Sequence, residues 1–155
     1  MRCRGFVLAA LAALVNCGGT TDPAALPGPD TVIRLLEQGN GSGAAGTSDG
    51  ADDPLLRPHV YPLPPVQTAH AVVDAIDGLS RWEVVAGKDG VIWATHRSRI
   101  FRFTEDVYLL LLPAHDSTVV FARSASRAGR SDPEQNRRNL GEFWGAMGKT
   151  VNSKQ

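Results

Sequence analysis

The chain has 155 residues with 16 basic and 16 acidic side chains, room for one ordinary domain and not for a second catalytic or cofactor domain. The zero sum conceals an asymmetry: residues 18–56 carry one Arg and six acids (1 − 6 = −5), whereas residues 57–155 carry thirteen bases and ten acids (13 − 10 = +3). Neither segment has the basic excess of a nucleic-acid binder, and thirteen of the sixteen bases are Arg, whose rigid forked donors suit carboxylates and phosphates.

The N-terminus reads as an export signal. Arg2 and Arg4 precede ten unbroken apolar residues, Phe6 to Val15. Roughly 20 would be needed to span a bilayer, so the run fits a secretory apolar region instead. It ends in Leu14-Val15-Asn16-Cys17-Gly18, which resembles a bacterial lipobox with Cys17 as the lipidated residue; ordinary cleavage near Gly19 is the alternative. Residues 1–17 are therefore assigned to the signal, which places the protein in the bacterial cell envelope, lipid-anchored, or secreted or periplasmic if Cys17 carries no lipid. Only Cys17 would survive cleavage, so neither an intrachain disulfide nor a Cys-based metal site is expected.

Residues 18–57 read as a disordered Gly/Pro/acidic tether, since residues 39–50 contain five Gly and no large apolar group to offset the entropy of ordering. One island interrupts it, TVIRLLEQ (31–38), expected as a transient helix capped by Asp30 and closed by Gly39. The composition changes at Pro58, and residues 58–150 read as the folded domain, followed by a short disordered tail, 151–155.

Within the domain, His59 to Pro65 is held extended by its prolines. Residues 68–79 place Ala69, Val72, Val73 and Ile76 at helical spacing, with Gly78 as a stop. Trp82 to Ala86 and Val91 to Arg97 read as paired strands across Gly87-Lys88-Asp89-Gly90. Ile100 to Leu112 alternates, with Phe101, Phe103, Val107, Leu109 and Leu111 on one face and Arg102, Thr104, Asp106 and Tyr108 on the other. Its second half is apolar on both faces, which predicts a central strand. Thr118 to Ser126 returns as a fourth. A last helix starts at Pro133 behind the cap Asp132, with Gln135 completing a capping-box-like pair, and Leu140, Phe143, Trp144 and Met147 form its apolar stripe. The class is α+β: a small two-layer domain in which an antiparallel meander of about four or more strands packs against two helices.

The segment from Arg123 to Asp132 concentrates unusual chemistry. Arg123, Arg127 and Arg130, with Ser124, Ser126 and Ser131, lie between a strand and a helix N-terminus, the parts of an anion cradle. Two readings stand: the arginines face a ligand, or they pair with Glu105, Asp106, Asp132 and Glu134 to lock the corner. Asn136, one turn before Leu140, should point inward and needs partners, either the backbone of the corner or a ligand. Arg102 and Asp106 share a strand face and are expected to pair with the neighbouring arginines. His59, His70, His96 and His115 lack ligand spacing, so no metal or cofactor is expected. Trp82, Trp93 and Trp144 are spaced like core residues.

RFTEDV (102–107), RSASRAGRSD (123–132), Asn136 and GEFW (141–144) together resemble the domain of unknown function 1499 family across residues 58–148. Glu105 stands where that family usually has Asp, Leu140 where it has Ile, and its Cys-Val-Ser-Ser-like beginning is absent. The resemblance implies a small α+β domain of exported or membrane-associated proteins and supplies no activity. The function read from the residues is a non-catalytic binding domain, held to the membrane through Cys17. It would take an anionic small molecule, lipid headgroup or envelope protein, but no nucleic acid, at Arg102, Asp106, Arg123, Ser124, Ser126, Arg127, Arg130, Asp132 and Asn136. The alternatives are a hydrolase or transferase with Asp106 as base and a structural envelope assembly protein.

Overall fold

The computed structural model describes residues 25–41, 43–99, 102–127 and 132–153. The segment expected to act as an export signal, with Cys17, lies outside them, as does Arg130. The element order is α1 (Pro29–Glu37), β1 (Ala44–Gly46), a 3₁₀ turn (Pro54–Leu56), β2 (His59–Tyr61), α2 (Pro65–Asp77), β3 (Trp82–Lys88), β4 (Val91–Arg97), β5 (Thr104–Ala114), β6 (Ser117–Ser126) and α3 (Pro133–Asn152). The four long strands form an antiparallel meander, and β1 and β2 both pair with the outer edge of β6. The α+β class expected from the sequence is the class observed.

Local chemistry explains the turns. Asp89 and Gly90 connect β3 to β4 with φ of 53° and 80°, the positive values that a two-residue hairpin with the right twist requires. A Cβ on Gly90 would lie 3.0 Å from the Leu111 carbonyl, a second reason for glycine there. At the start of α3 the Asp132 side chain accepts the Glu134 N–H. Gln135 does not complete the capping box; its amide donates to Asn139 one turn on, at 2.9 Å.

Helices α2 and α3 cover one sheet face. Ala71, Val72, Ala75 and Ile76 of α2 and Leu140, Phe143, Trp144, Met147 and Val151 of α3 pack on Ile92, Ala94, Val107, Leu109, Leu111, Val120 and Ala122. The inward face of α2 is rotated slightly from expectation: Thr68 and Ala71 are buried, while Ala69 and Val73 are only partly so. Fully burying aliphatic side chains of this kind stabilises by about 1.5–3 kcal/mol each, so this layer is the main source of stability.

The expectation of a disordered tether over 18–57 is corrected by residues 29–57, and that of a disordered tail over 151–155 by Val151 and Asn152, which end α3 with Val151 buried in the core. Val32 of α1, wholly buried, packs with Val91 and Leu110 on the second sheet face, flanked by Leu26, Leu36, Tyr108 and Phe121. That contact is why β5 is apolar on both faces from Leu109 onward. The Gly-rich stretch that follows forms β1, whose three residues are all buried. A Cβ at Gly46 would stand at ordinary contact distance from Arg123 Cγ (3.5 Å) and Leu36 (3.6 Å), which places this strand between α1 and the sheet. What reads as a spacer is a close-packing segment. Asp30 sits in the first turn of α1 rather than capping it, a place taken by Gly28.

The start of β5 also differs from expectation. Arg102 adopts φ of 52° and the ladder begins at Thr104, which breaks the alternation and leaves Phe103 40% exposed instead of in the core. Phe101 lies outside the described residues.

Candidate functional site

The Arg/Ser corner divides between the two faces of the sheet because successive residues of β5 and β6 point to opposite sides. On the face shared with α1, Asp106 receives a bidentate clamp from Arg127, with Nε to Oδ2 at 2.8 Å and Nη2 to Oδ1 at 2.7 Å. Trp93 Nε1 donates to the same Oδ1 at 2.8 Å, and the Arg127 guanidinium lies 5.8 Å from the Trp93 ring centre. The Asp106 hydrogen bonds raise the Arg127 pKa above its ordinary value against the opposing effect of burial. With both carboxylate oxygens engaged, Asp106 has little left to offer as a base. Arg123 lies opposite Tyr108 and donates through Nε to the Leu35 carbonyl in the last turn of α1, at 3.0 Å. Burial lowers its pKa from the usual guanidinium value. The locking reading of the arginines therefore describes Arg127, which pairs with Asp106, but not Arg123, which meets none of the expected acids and donates to a backbone carbonyl of α1 instead.

On the other face lies a buried polar chain. Ser124 Oγ donates to Asn136 Oδ1 at 2.7 Å, and Asn136 Nδ2 donates to the Gly43 carbonyl at 3.1 Å. Asn139 Nδ2 lies 3.3 Å from Ser124 Oγ and also donates to Glu105 Oε2. Glu105 Oε2 meets His96 Nδ1 at 2.7 Å. An ionised carboxylate only accepts, so Nδ1 carries the hydrogen and, in a neutral imidazole, Nε2 is left as the acceptor. Nε2 is buried and has no hydrogen-bond partner among the described residues, with the Trp82 ring tilted against the imidazole at 5.3 Å. His96, Glu105, Ser124, Asn136 and Asn139 are each at most 1% exposed.

Asn136 thus points inward as expected, but its backbone partner is Gly43, next to β1, rather than the 123–131 corner. Glu105, Asn139 and His96 were not among the expected site residues. The alternation of β5 carries the signal for Glu105, which falls in the series with Val107 and Leu109. Asn139 follows Asn136 by three positions, on the same inward side of α3. These hydrogen bonds tie α3 and the residue before β1 to the sheet, and with every member enclosed they specify the packing of the two layers.

The remaining expected residues scatter. Asp132 is exposed, caps α3 and meets Arg138 at 3.4 Å; Ser126, partly buried, ends β6, its N–H donating to the Gly43 carbonyl. Arg102 stands exposed in the β4–β5 connection, at the same sheet end as the corner, since the Arg127 N–H donates to the Thr104 carbonyl at 3.2 Å; its side chain has no hydrogen-bonding or ionic partner among the described residues. It has company there. Arg81, Arg97 and Arg99 are also exposed, and their side chains equally lack partners among the described residues. Arg97 closes β4 and donates its N–H to the Arg81 carbonyl at 2.9 Å, and Ser98 and Phe103 tie the connection together through Ser98 N–H to the Phe103 carbonyl and Phe103 N–H to Ser98 Oγ. These four arginines line the sheet end formed by the start of β3, the end of β4 and the start of β5.

A family profile described as "Protein of unknown function (DUF1499)" matches residues 24–147. The chain belongs to the DUF1499 family. The match takes in α1 and β1 as well as the meander and α3, in keeping with a DUF1499 domain that begins before Pro58. No curated protein matches the chain. Among solved structures, that of TTHA0849 from Thermus thermophilus is similar with a TM-score of 0.43 and 10% identity, over 72% of this chain and 99% of that one.

Proposed function

We propose that this DUF1499 chain is a non-catalytic, exported binding domain, anchored to the cell envelope through Cys17, that meets an anionic partner at the sheet end bearing Arg81, Arg97, Arg99 and Arg102. The observation that carries this reading is the division of labour among the arginines. Arg123 and Arg127 are spent on internal acceptors, whereas these four have no acidic partner among the described residues. Unpaired guanidinium groups at one end of a domain attract anions and offer bidentate donors to carboxylate, phosphate or sulfate. Of the acids near them, Asp106 is clamped by Arg127 and Glu105 is buried, while Glu83, exposed, and Glu142, which accepts the Trp82 Nε1–H at 3.1 Å, offset part of the field.

The test is retention on a sulfated polyanion resin. Arg97→Gln/Arg99→Gln/Arg102→Gln should elute at clearly lower salt than the wild-type chain, while Lys88→Gln/Lys149→Gln, altering exposed cations elsewhere, should elute almost unchanged. Equal shifts for the two variants would refute a localised site.

The anchor has its own check. Radiolabelled lipid should be incorporated by the wild-type chain and not by Cys17→Ser; incorporation that survives the substitution would overturn the assignment. Twelve chain steps lead from Cys17 to Pro29 (29 − 17), at up to about 3.5 Å each, so an anchored domain would stay within about 40 Å of its lipid.

A further inference from the structure

We infer that the anionic partner is a phospholipid surface, and that the β4–β5 end of the sheet docks on it with Phe103 among the arginines; this rests on the anionic-partner reading above. Phe103 is a large apolar side chain, 40% exposed, in the same connection as Arg99 and Arg102 and held there by two hydrogen bonds to Ser98. A soluble anion or polyelectrolyte gives no reason for an exposed apolar ring beside a group of arginines. A bilayer does, because it offers anionic headgroups and, just beneath them, an apolar layer that accepts an aromatic side chain.

The sequence strengthens the point, since Arg97, Arg99 and Arg102 all lie within six positions of Phe103. Arginine suits such a site, since its aliphatic stem can lie along apolar surface while the guanidinium stays at the phosphate level. The arginines also approach from more than one strand: Arg81 precedes β3, Arg97 ends β4, and Arg99 and Arg102 flank the connection to β5. They therefore form a rim rather than a single-file run, which fits a surface better than a thread.

Vesicle co-sedimentation of the full chain provides the test, with phosphatidylcholine vesicles containing none or one third phosphatidylglycerol. The apolar segment Phe6–Val15 is common to wild type and variants, so the comparison among them isolates the hairpin. Wild-type partitioning should rise with the anionic lipid and fall with added salt. Each arginine near an anionic surface contributes about 5-fold, so Arg97→Gln/Arg99→Gln/Arg102→Gln should lose on the order of 100-fold on the charged vesicles. Phe103→Ser should lose about 5-fold there and leave elution from the polyanion resin unchanged. Circular dichroism of each variant checks that the fold is retained, and all four positions are exposed.

Partitioning that ignores phosphatidylglycerol, or a Phe103→Ser chain that binds vesicles like wild type, overturns the lipid assignment. If the triple variant then still loses resin retention, the anionic-partner reading stands with a polyelectrolyte or acidic protein in place of the membrane. If it loses neither, both readings fall.

Discussion

Glu105→Ala should lower the unfolding free energy by about 3–5 kcal/mol, because it removes one member of a buried pair and leaves the other members of the network without their acceptor. His96 Nδ1 and Asn139 Nδ2 both donate to Glu105 Oε2. Neither donor can turn to water, since both residues are at most 1% exposed. For a domain whose total stability is of order 5–15 kcal/mol, such a loss is most of the margin. The double variant His96→Leu/Glu105→Leu should behave differently. It deletes the charge and its partner together and substitutes apolar volume beside Trp82 and Phe143, so most of the loss should be regained. Urea denaturation of wild type, His96→Leu, Glu105→Leu and the double closes the cycle, with an unchanged slope as the check on two-state behaviour. A double variant no more stable than Glu105→Ala would mean that the pair is not a coupled unit.

The same network explains how far the sequence could be read. Periodicity located α2, α3 and the four long strands, and Asp132-Pro133 located the start of α3, because caps and alternation are local properties. It also set Asn136 inward. The pairing of His96 with Glu105 is a matter of register between β4 and β5, where His96 lies opposite Glu105. Register depends on where the β4–β5 connection ends, and the positive φ of Arg102 moved that end past Phe103. The alternation therefore misplaced Phe103 in the core, while Glu105, in series with Val107, was passed over because a carboxylate seldom faces an apolar layer.

The arginines illustrate the complementary limit. Their clustering in sequence at 123–130 suggested a single anion site, yet strand geometry sends Arg123 to α1 and Arg127 to Asp106. The guanidinium groups with no hydrogen-bonding or ionic partner of any kind among the described residues are instead those of Arg81, Arg97, Arg99 and Arg102, which span 21 positions of sequence (102 − 81) and share one sheet end because β3, β4 and β5 are neighbours. Of the residues first picked out for ligand contact, Arg102 is the one that this arrangement retains.

A chain beginning at Pro58 should fail to unfold cooperatively, whereas one beginning at Ala25 should keep the stability of the whole. Composition makes the first boundary look reasonable, since residues 39–50 are Gly-rich and lack large apolar groups. What composition does not reveal is that small residues are what the edge of β6 requires. The segment supplies the Gly43 carbonyl to Asn136, the Thr47 hydroxyl to the Ala122 N–H at 3.0 Å, the Leu35 carbonyl to Arg123, the Leu55 carbonyl to Trp144 at 3.0 Å, and the Asp53 carboxylate to Arg137. Each such bond contributes about 0.5–1.5 kcal/mol net, and more where a buried donor would otherwise be stranded. Loss of α1 also uncovers Val91 and Leu110, and loss of β1 leaves the last part of β6 as an open edge available to other chains. The combined deficit exceeds about 5 kcal/mol, comparable to the whole stability of a small domain. Thermal unfolding and size-exclusion chromatography of the two truncations decide the matter: a Pro58 chain that is monomeric and melts within a few degrees of the Ala25 chain would return residues 25–57 to the role of a tether.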